Sequence, residues 1–154
     1  MNSEMIDLAR EAVEIVPIED WPAGARFFEY IDDKNGHGPC RIVDTNEWTA
    51  LQKGYWYIDD SDGRQCRRMN LAQKQRRLIP DLTDPATLGC LLHLVREVWD
   101  DNGAFTQPHP HFLDEKGQSI WVVTVGGRDL PIPSKGQHNE AHALVAALKA
   151  GADQ

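Results

Sequence analysis

No stretch of the 154 residues approaches the ~18 consecutive apolar residues of a membrane span. The opening MNSEMIDLAREAVEIV carries four acids and has no basic region ahead of an apolar one, so it does not read as a secretory signal peptide. Cysteine is scarce: Cys40, Cys66 and Cys90 form no C-x-x-C pair, and the odd count argues against a disulfide framework. These absences predict a protein of a reducing, cytoplasmic compartment. Catalytic signatures are lacking as well. There is no G-x-S-x-G, no P-loop and no G-x-G-x-x-G, and the scattered Ser, His and Asp residues form no recognisable set. The sequence therefore points away from an enzyme and implies no cofactor. Positive charge is in deficit, with 16 basic against 24 acidic side chains and a net charge of −8. Such a polyanion is a poor general partner for nucleic acid or acidic membranes.

The segment from Asp81 to Asp101, DLTDPATLGCLLHLVREVWDD, is the strongest structural signal present. Asp84 suits the N-cap and Pro85 the first helical position, where a missing N–H costs nothing. Leu88, Leu91, Leu92, Val95, Val98 and Trp99 recur at helical spacing and predict a buried face, with Gly103 as a stop. Ahead of it, Ser3 is a candidate cap for a helix to Val16, which Pro17 ends. Behind it come predicted strands at Phe105–Leu113, Ser119–Val125 and Arg128–Ile132. A final helix capped by Asn139 runs to Ala150, with Gly151 as its stop.

Between the first two helices the chain echoes itself. Tyr30-Ile31-Asp32-Asp33 leads through Asn35-Gly36 to Cys40-Arg41, and Tyr57-Ile58-Asp59-Asp60 leads through Asp62-Gly63 to Cys66-Arg67. Asn-Gly and Asp-Gly are hairpin signals, so two hairpins are predicted, at 26–44 and 54–68, in one antiparallel sheet. The fold class that follows is α+β: a helix with a small hairpin sheet over 1–80, then an α-β-β-β-α unit over 81–154, the two packed as one unit.

Charge then segregates. Arg64, Arg67, Arg68, Lys74, Arg76 and Arg77 fall in fourteen residues that hold no acid, leaving ten basic and 24 acidic side chains, a balance of −14, on the other 140. This run is the candidate binding site, since six cations suit phosphates or an acidic protein surface. The bland alternative is neutralisation by the neighbouring Asp59, Asp60 and Asp62. His109 and His111 alternate on a predicted strand and form a metal-like pair, as Cys40 and Cys66 with His37 more weakly do for zinc, but no third ligand stands at a characteristic spacing from the histidines. Cys40 and Cys66 hold similar places in the two hairpins and could approach each other, with His37 nearby; small buried hydrophobes are the simpler reading. The acidic turns miss the calcium-loop register, because counting from Gly63 puts Ile58 and Met69 at the first and twelfth positions.

Three stretches carry a resemblance. LAREAV with WPAGARFF, PDLTDPATLGCLLHLVRE from Pro80 to Glu97, and EAHALVAALKAG together resemble small uncharacterised proteins of tailed phages and prophages. The resemblance implies a bacterial-host cytoplasmic setting and transfers no activity, cofactor or catalytic residue. The order of elements after residue 84, with VGGRDL before the last helix, is similar to the double-stranded RNA-binding domain. That family clamps phosphates with a lysine cluster at this helix start. Here the positions read Lys135, Gln137, His138, Asn139 and Glu140, so Lys135 alone is cationic.

The expectation is a non-enzymatic accessory protein that binds a host or phage protein through the basic run. Nucleic-acid binding through that run is the alternative. A metal-dependent enzyme built on His109 and His111 is the third reading.

Overall fold

The computed structural model describes residues 2–31, 34–42, 55–60, 66–70, 78–131 and 139–154. Helix α1 spans Ser3–Ile15 and a 3-10 turn Ile18–Asp20 follows. Strands β1 (Arg26–Ile31), β2 (Lys34–Ile42), β3 (Tyr55–Asp60), β4 (Cys66–Asn70) and β5 (Leu78–Pro80) make one antiparallel sheet in the order β4-β3-β2-β1-β5. Helix α2 spans Pro85–Trp99. Strands β6 (Phe105–Leu113), β7 (Ser119–Val125) and β8 (Arg128–Asp129) form a second antiparallel sheet, and α3 covers Glu140–Ala152. The chain is α+β, as its sequence predicts.

The two hairpins form and share one sheet, because β2 also pairs with β3. They are not equivalent copies. In the first, Ile31 pairs with Lys34 and Tyr30 with Asn35, so the chain reverses after Ile31 and Asn35-Gly36 lies inside β2. The register then jumps from Tyr30–Asn35 to Glu29–His37, which leaves Gly36 as the extra residue of a bulge. Glycine at that position serves the bulge rather than the turn. In the second copy Asp59 and Asp60 are strand residues, and the Asp62-Gly63 turn lies outside the described residues.

The short β5 ends at Pro80, whose missing N–H carries no strand signal. It pairs with β1 and all three of its residues are buried. Its junction to α2 is a hydrogen-bond knot. The Asp81 N–H donates to the Arg26 carbonyl at 2.7 Å, and Arg26 N–H donates to Thr87 Oγ1 at 2.8 Å. The single hydroxyl proton of Thr87 goes to Asp84 Oδ2 at 2.8 Å rather than to the more distant Arg26 carbonyl at 3.5 Å. Asp84 Oδ2 also accepts from Thr87 N–H at 3.0 Å, which is the N-cap bond expected of it. Asp81, 3% exposed, accepts from both the backbone and the hydroxyl of Thr83. Its second oxygen lies 3.5 Å from Arg26 Nε, long for a hydrogen bond, and among the described residues Nε has no other acceptor. The DLTD-x-x-T run is thus a structural splice from sheet to helix.

Caps differ from three expectations. Asn2, not Ser3, caps α1, its side chain accepting from Met5 N–H at 2.9 Å. Asp100 ends α2 in the left-handed region at φ 49°, so Gly103 is not the stop; Asp101 Oδ1 instead accepts the Gly103 N–H. Gly151 does not stop α3, which continues to Ala152. A Cβ there would stand 2.6 Å from Val98 Cγ2 and 2.8 Å from Trp99 Nε1. Trp99 in turn donates from Nε1 to the Ala147 carbonyl at 2.9 Å. Glycine at 151 is the residue that lets α2 and α3 come this close.

One apolar core joins both halves of the sequence. It takes Met5, Ala9 and Ala12 from α1, Trp21 and Phe27, Leu78 and Leu82, Leu91, Leu94 and Val95 from α2, and Ala141, Leu144, Val145 and Leu148 from α3. The predicted α2 face is present, with Leu94 added to it. Trp21 packs edge-to-face on Phe27 with ring centroids 5.5 Å apart, and its N–H is donated to the Val16 carbonyl. Helix α1 lies parallel to α3, since Glu4 meets His142 and Glu11 meets Lys149 as both chains advance. The hydrogen bond from Lys149 to Glu11 holds the ammonium above its ordinary titration range.

Two outcomes follow for denaturant unfolding. Thr87→Val strips the acceptor from the partly buried Arg26 N–H and lowers stability by about 1–3 kcal/mol. Gly151→Val overfills the α2–α3 contact, with a loss of about 1–3 kcal/mol or more.

Candidate functional site

The predicted basic site is only partly described. Arg67 and Arg68 lie on β4, where register sets Arg67 opposite Ile58 and Arg68 opposite Tyr57. Arg64, Lys74, Arg76 and Arg77 lie outside the described residues. Two backbone facts bear on the run. First, β4 is the outer edge of the five-stranded sheet, three strands removed from β1, which is the strand spliced to α2. Second, the register position opposite Asp59 on the β2 side belongs to Arg41, a residue outside the run, and the one opposite it on β4 is Cys66.

The same sheet separates the cysteines. Cys40 pairs with Asp60 from one side of β3 and Cys66 with Asp59 from the other. Two strand spacings of about 4.8 Å put their backbones roughly 10 Å apart, beyond disulfide reach. The expected approach of these thiols is corrected by the strand between them. Cys90 is a buried thiol whose Sγ lies 3.6 Å from the Ala23 carbonyl, in keeping with packing.

His109 and His111 sit on β6, the outer strand of the second sheet, in the stretch where pairing to β7 slips between Pro108 and Leu113. Their rings are 6.0 Å apart. The His111 backbone N–H donates to His109 Nδ1 at 3.1 Å, so the hydrogen of the neutral His109 ring is on Nε2, which faces Asp129 Oδ2 at 3.9 Å. That arrangement commits the only lone pair of the neutral ring to the backbone. Asp129 is itself engaged, accepting from Thr124 Oγ1 at 2.6 Å. Among the described residues no group of three or more His, Cys, Asp or Glu side chains could hold a metal ion. The His109 ring stacks on Phe112 at 4.3 Å, next to Leu113, and Phe112 and Leu113 are 52% and 62% exposed. His93 is paired with Glu97 on the solvent side of α2, as its polar-face position predicts.

Sequence reasoning passed over Asp101. Its Oδ2 accepts the Gly126 N–H at 2.7 Å and its Oδ1 the Gly103 N–H at 2.8 Å. Gly126 and Gly127 are both at positive φ, 59° and 76°, and close the β7–β8 hairpin between Val125 and Arg128. One exposed carboxylate therefore pins the hairpin tip to the end of α2. The Gly126 bond first, and the Gly103 bond second, hold it below the ordinary carboxylate range. Nothing in a sequence separates such an acid from its neighbour Asp100, because its partner is twenty-five residues away.

An apolar cavity of about 120 Å³ lies between the second sheet and α3, lined by Trp121, Val123, Leu130, Ala143 and Ala147 among others. Among the described residues no helix is long and apolar enough to cross a membrane. Comparison with family models, with curated proteins and with solved structures finds no match to this chain.

Because the folded state holds Asp101 more acidic, its stabilisation is present above the unfolded value near ~3.9 and is lost as pH falls through the folded one. Asp101→Asn should be less stable than the parent at neutral pH. The gap should close on acidification below about pH 4, measured by urea midpoints across pH 3–7.

Proposed function

We propose that this chain is a non-enzymatic binding protein of phage or prophage origin, working in the cytoplasm of a bacterial host. Its partner is an acidic surface on a host or phage protein, gripped by the basic stretch Arg64, Arg67, Arg68, Lys74, Arg76 and Arg77. The observation that carries this reading is edge position. Among the described strands, the one bearing Arg67 and Arg68 is outermost in its sheet, and an edge strand is the part of a sheet open to a partner. Its register sets Arg68 diagonal to Asp59 and Arg67 diagonal to Asp60, so a partner's acids compete with these two for the same cations. The concentration of six cations in a chain of net charge −8 adds to this, since the local field differs in sign from the overall one. The resemblance of Pro80–Glu97 and its flanking stretches supports the origin. The same residues in the structure form the splice and the core helix, which accounts for them without a binding role.

Nucleic acid is the second reading, favoured by the same run of cations without an intervening acid. Salt separates the two. A protein partner captured from host lysate by the parent, with affinity reduced tenfold or more by reversing Arg67, Arg68, Arg76 and Arg77 to Glu, supports the proposal. Binding to duplex or single-stranded nucleic acid that weakens in log–log proportion to salt, with a slope near 0.7–0.9 per neutralised phosphate, replaces it. Capture unaffected by the charge reversal, or no capture, overturns the protein reading, and absent or salt-independent nucleic-acid binding overturns the second.

A further inference from the structure

The ties between α1 and α3 differ in kind. Lys149 and Glu11 make an exposed ammonium–carboxylate pair. His142, one heptad nearer the start of α3, is 8% exposed and meets an oxygen at each ring nitrogen. Nδ1 lies 3.0 Å from Asn139 Oδ1. That atom must be the amide oxygen, because it also accepts the backbone N–H of His142 at 3.0 Å, while Asn139 Nδ2 faces Met5 Sδ at 3.8 Å. So Nδ1 carries a hydrogen and donates it. Nε2 lies 3.3 Å from Glu4 Oε1. A neutral ring already protonated at Nδ1 would point a lone pair at a carboxylate. The contact is attractive only with one more proton between the two, whether written as imidazolium–carboxylate or as a neutral pair.

We propose that Glu4 and His142 form a proton-dependent latch between α1 and α3, closed with the second imidazole proton bound and released as pH rises. Among the described residues, helix α1 contributes Glu4; on α3 itself Glu140 is the adjacent acid, and its Oε1 is taken by Thr106 Oγ1 of β6 at 2.7 Å. Strand β7 offers Trp121, Val122 and Val123 to α3, and α2 meets its far end through Val98 and Trp99. The positive end of α3 opposes a cation at this position, but the protonated pair is neutral as a unit and partly buried. The sign follows from the gained partner. A histidine that binds its proton more tightly when folded adds stability below the unfolded value near ~6.5, and that contribution disappears as pH rises through the folded titration. Below about pH 4 protonation of Glu4 in the unfolded chain ends the advantage. Release loosens the start of α1, which is otherwise held by Met5, Ala9 and Ala12 in the core, by the partly buried Ile6, Leu8, Val13 and Ile15, and by the Lys149–Glu11 pair.

The test uses the full chain, with the His142 ring followed by NMR titration and α1 amides by hydrogen exchange at pH 5.5–8.5. The expected result is that Glu4→Gln lowers the His142 midpoint by about one unit. In the parent, α1 exchange should accelerate between pH 6 and 8 several-fold beyond intrinsic base catalysis and beyond the amides of α2. That excess should vanish in His142→Gln. An unchanged midpoint in Glu4→Gln, or an excess that persists in His142→Gln, overturns the latch. Should His142→Gln fail to fold, the Glu4→Gln midpoint decides alone.

Discussion

Everything in this fold is hung on the buried hydroxyl of Thr87. It is the one atom that both receives the β1 backbone, through Arg26 N–H, and gives its proton to the cap of α2. A hydroxyl can do this because it is donor and acceptor at once; valine, its isostere, can do neither. Around it Asp81 turns the chain out of β5, so the last strand of the first sheet and the first turn of the central helix are fixed by the same few bonds. Helix α2 then packs against α3 through Val98 and Trp99, and α3 carries much of the core. A sheet of five strands and a sheet of three are in this way attached to one helical layer without a shared strand between them.

Local chemistry was legible at several places where cause and effect lie within one turn, though at α1 the cap is Asn2 and not its neighbour Ser3. Asp84-Pro85 opens α2, Asn139 caps α3, and Gly126-Gly127 reverses β7 into β8, each by a bond or dihedral set within four residues. Where a residue type has two uses, the pattern alone chose wrongly. Asn35-Gly36 has the composition of a hairpin turn, yet Gly36 is the extra residue of a bulge, because the chain has already reversed where Ile31 pairs with Lys34. Gly151 has the position of a helix stop, yet it is a contact, because Trp99 and Val98 occupy the space a side chain would need. Leu78-Ile79-Pro80 is too short to show any period, so its place as a sheet edge depends wholly on β1.

The candidate chemistry was less legible, for a related reason. The spacing of His109 and His111 is that of a chelating pair, but a backbone N–H captures the nitrogen a metal would require. Cys40 and Cys66 look alike in sequence because each ends a similar run, and sheet pairing puts them on either side of β3. Asp101 and His142 acquire their character from partners 25 and 138 residues distant. The basic run is the reverse case: its charge is evident from composition, and the sheet adds only that two of its members are outermost.

The parallel pairing of α1 with α3 has a consequence for how the molecule is made. Parallel neighbours joined through the whole intervening chain are the most non-local contact a fold can hold, and loop-closure entropy delays such contacts. During synthesis α1 emerges first, and the surface that covers Met5, Ala9 and Ala12 is completed only when α3 has been translated. The meander from β1 to β4 can pair in the meantime, since its partners are sequential. Trp21 and β5 reach α1 before α3 does, so the first helix is only partly covered until α3 has been made, and transiently exposed apolar surface of this kind is what a chaperone meets.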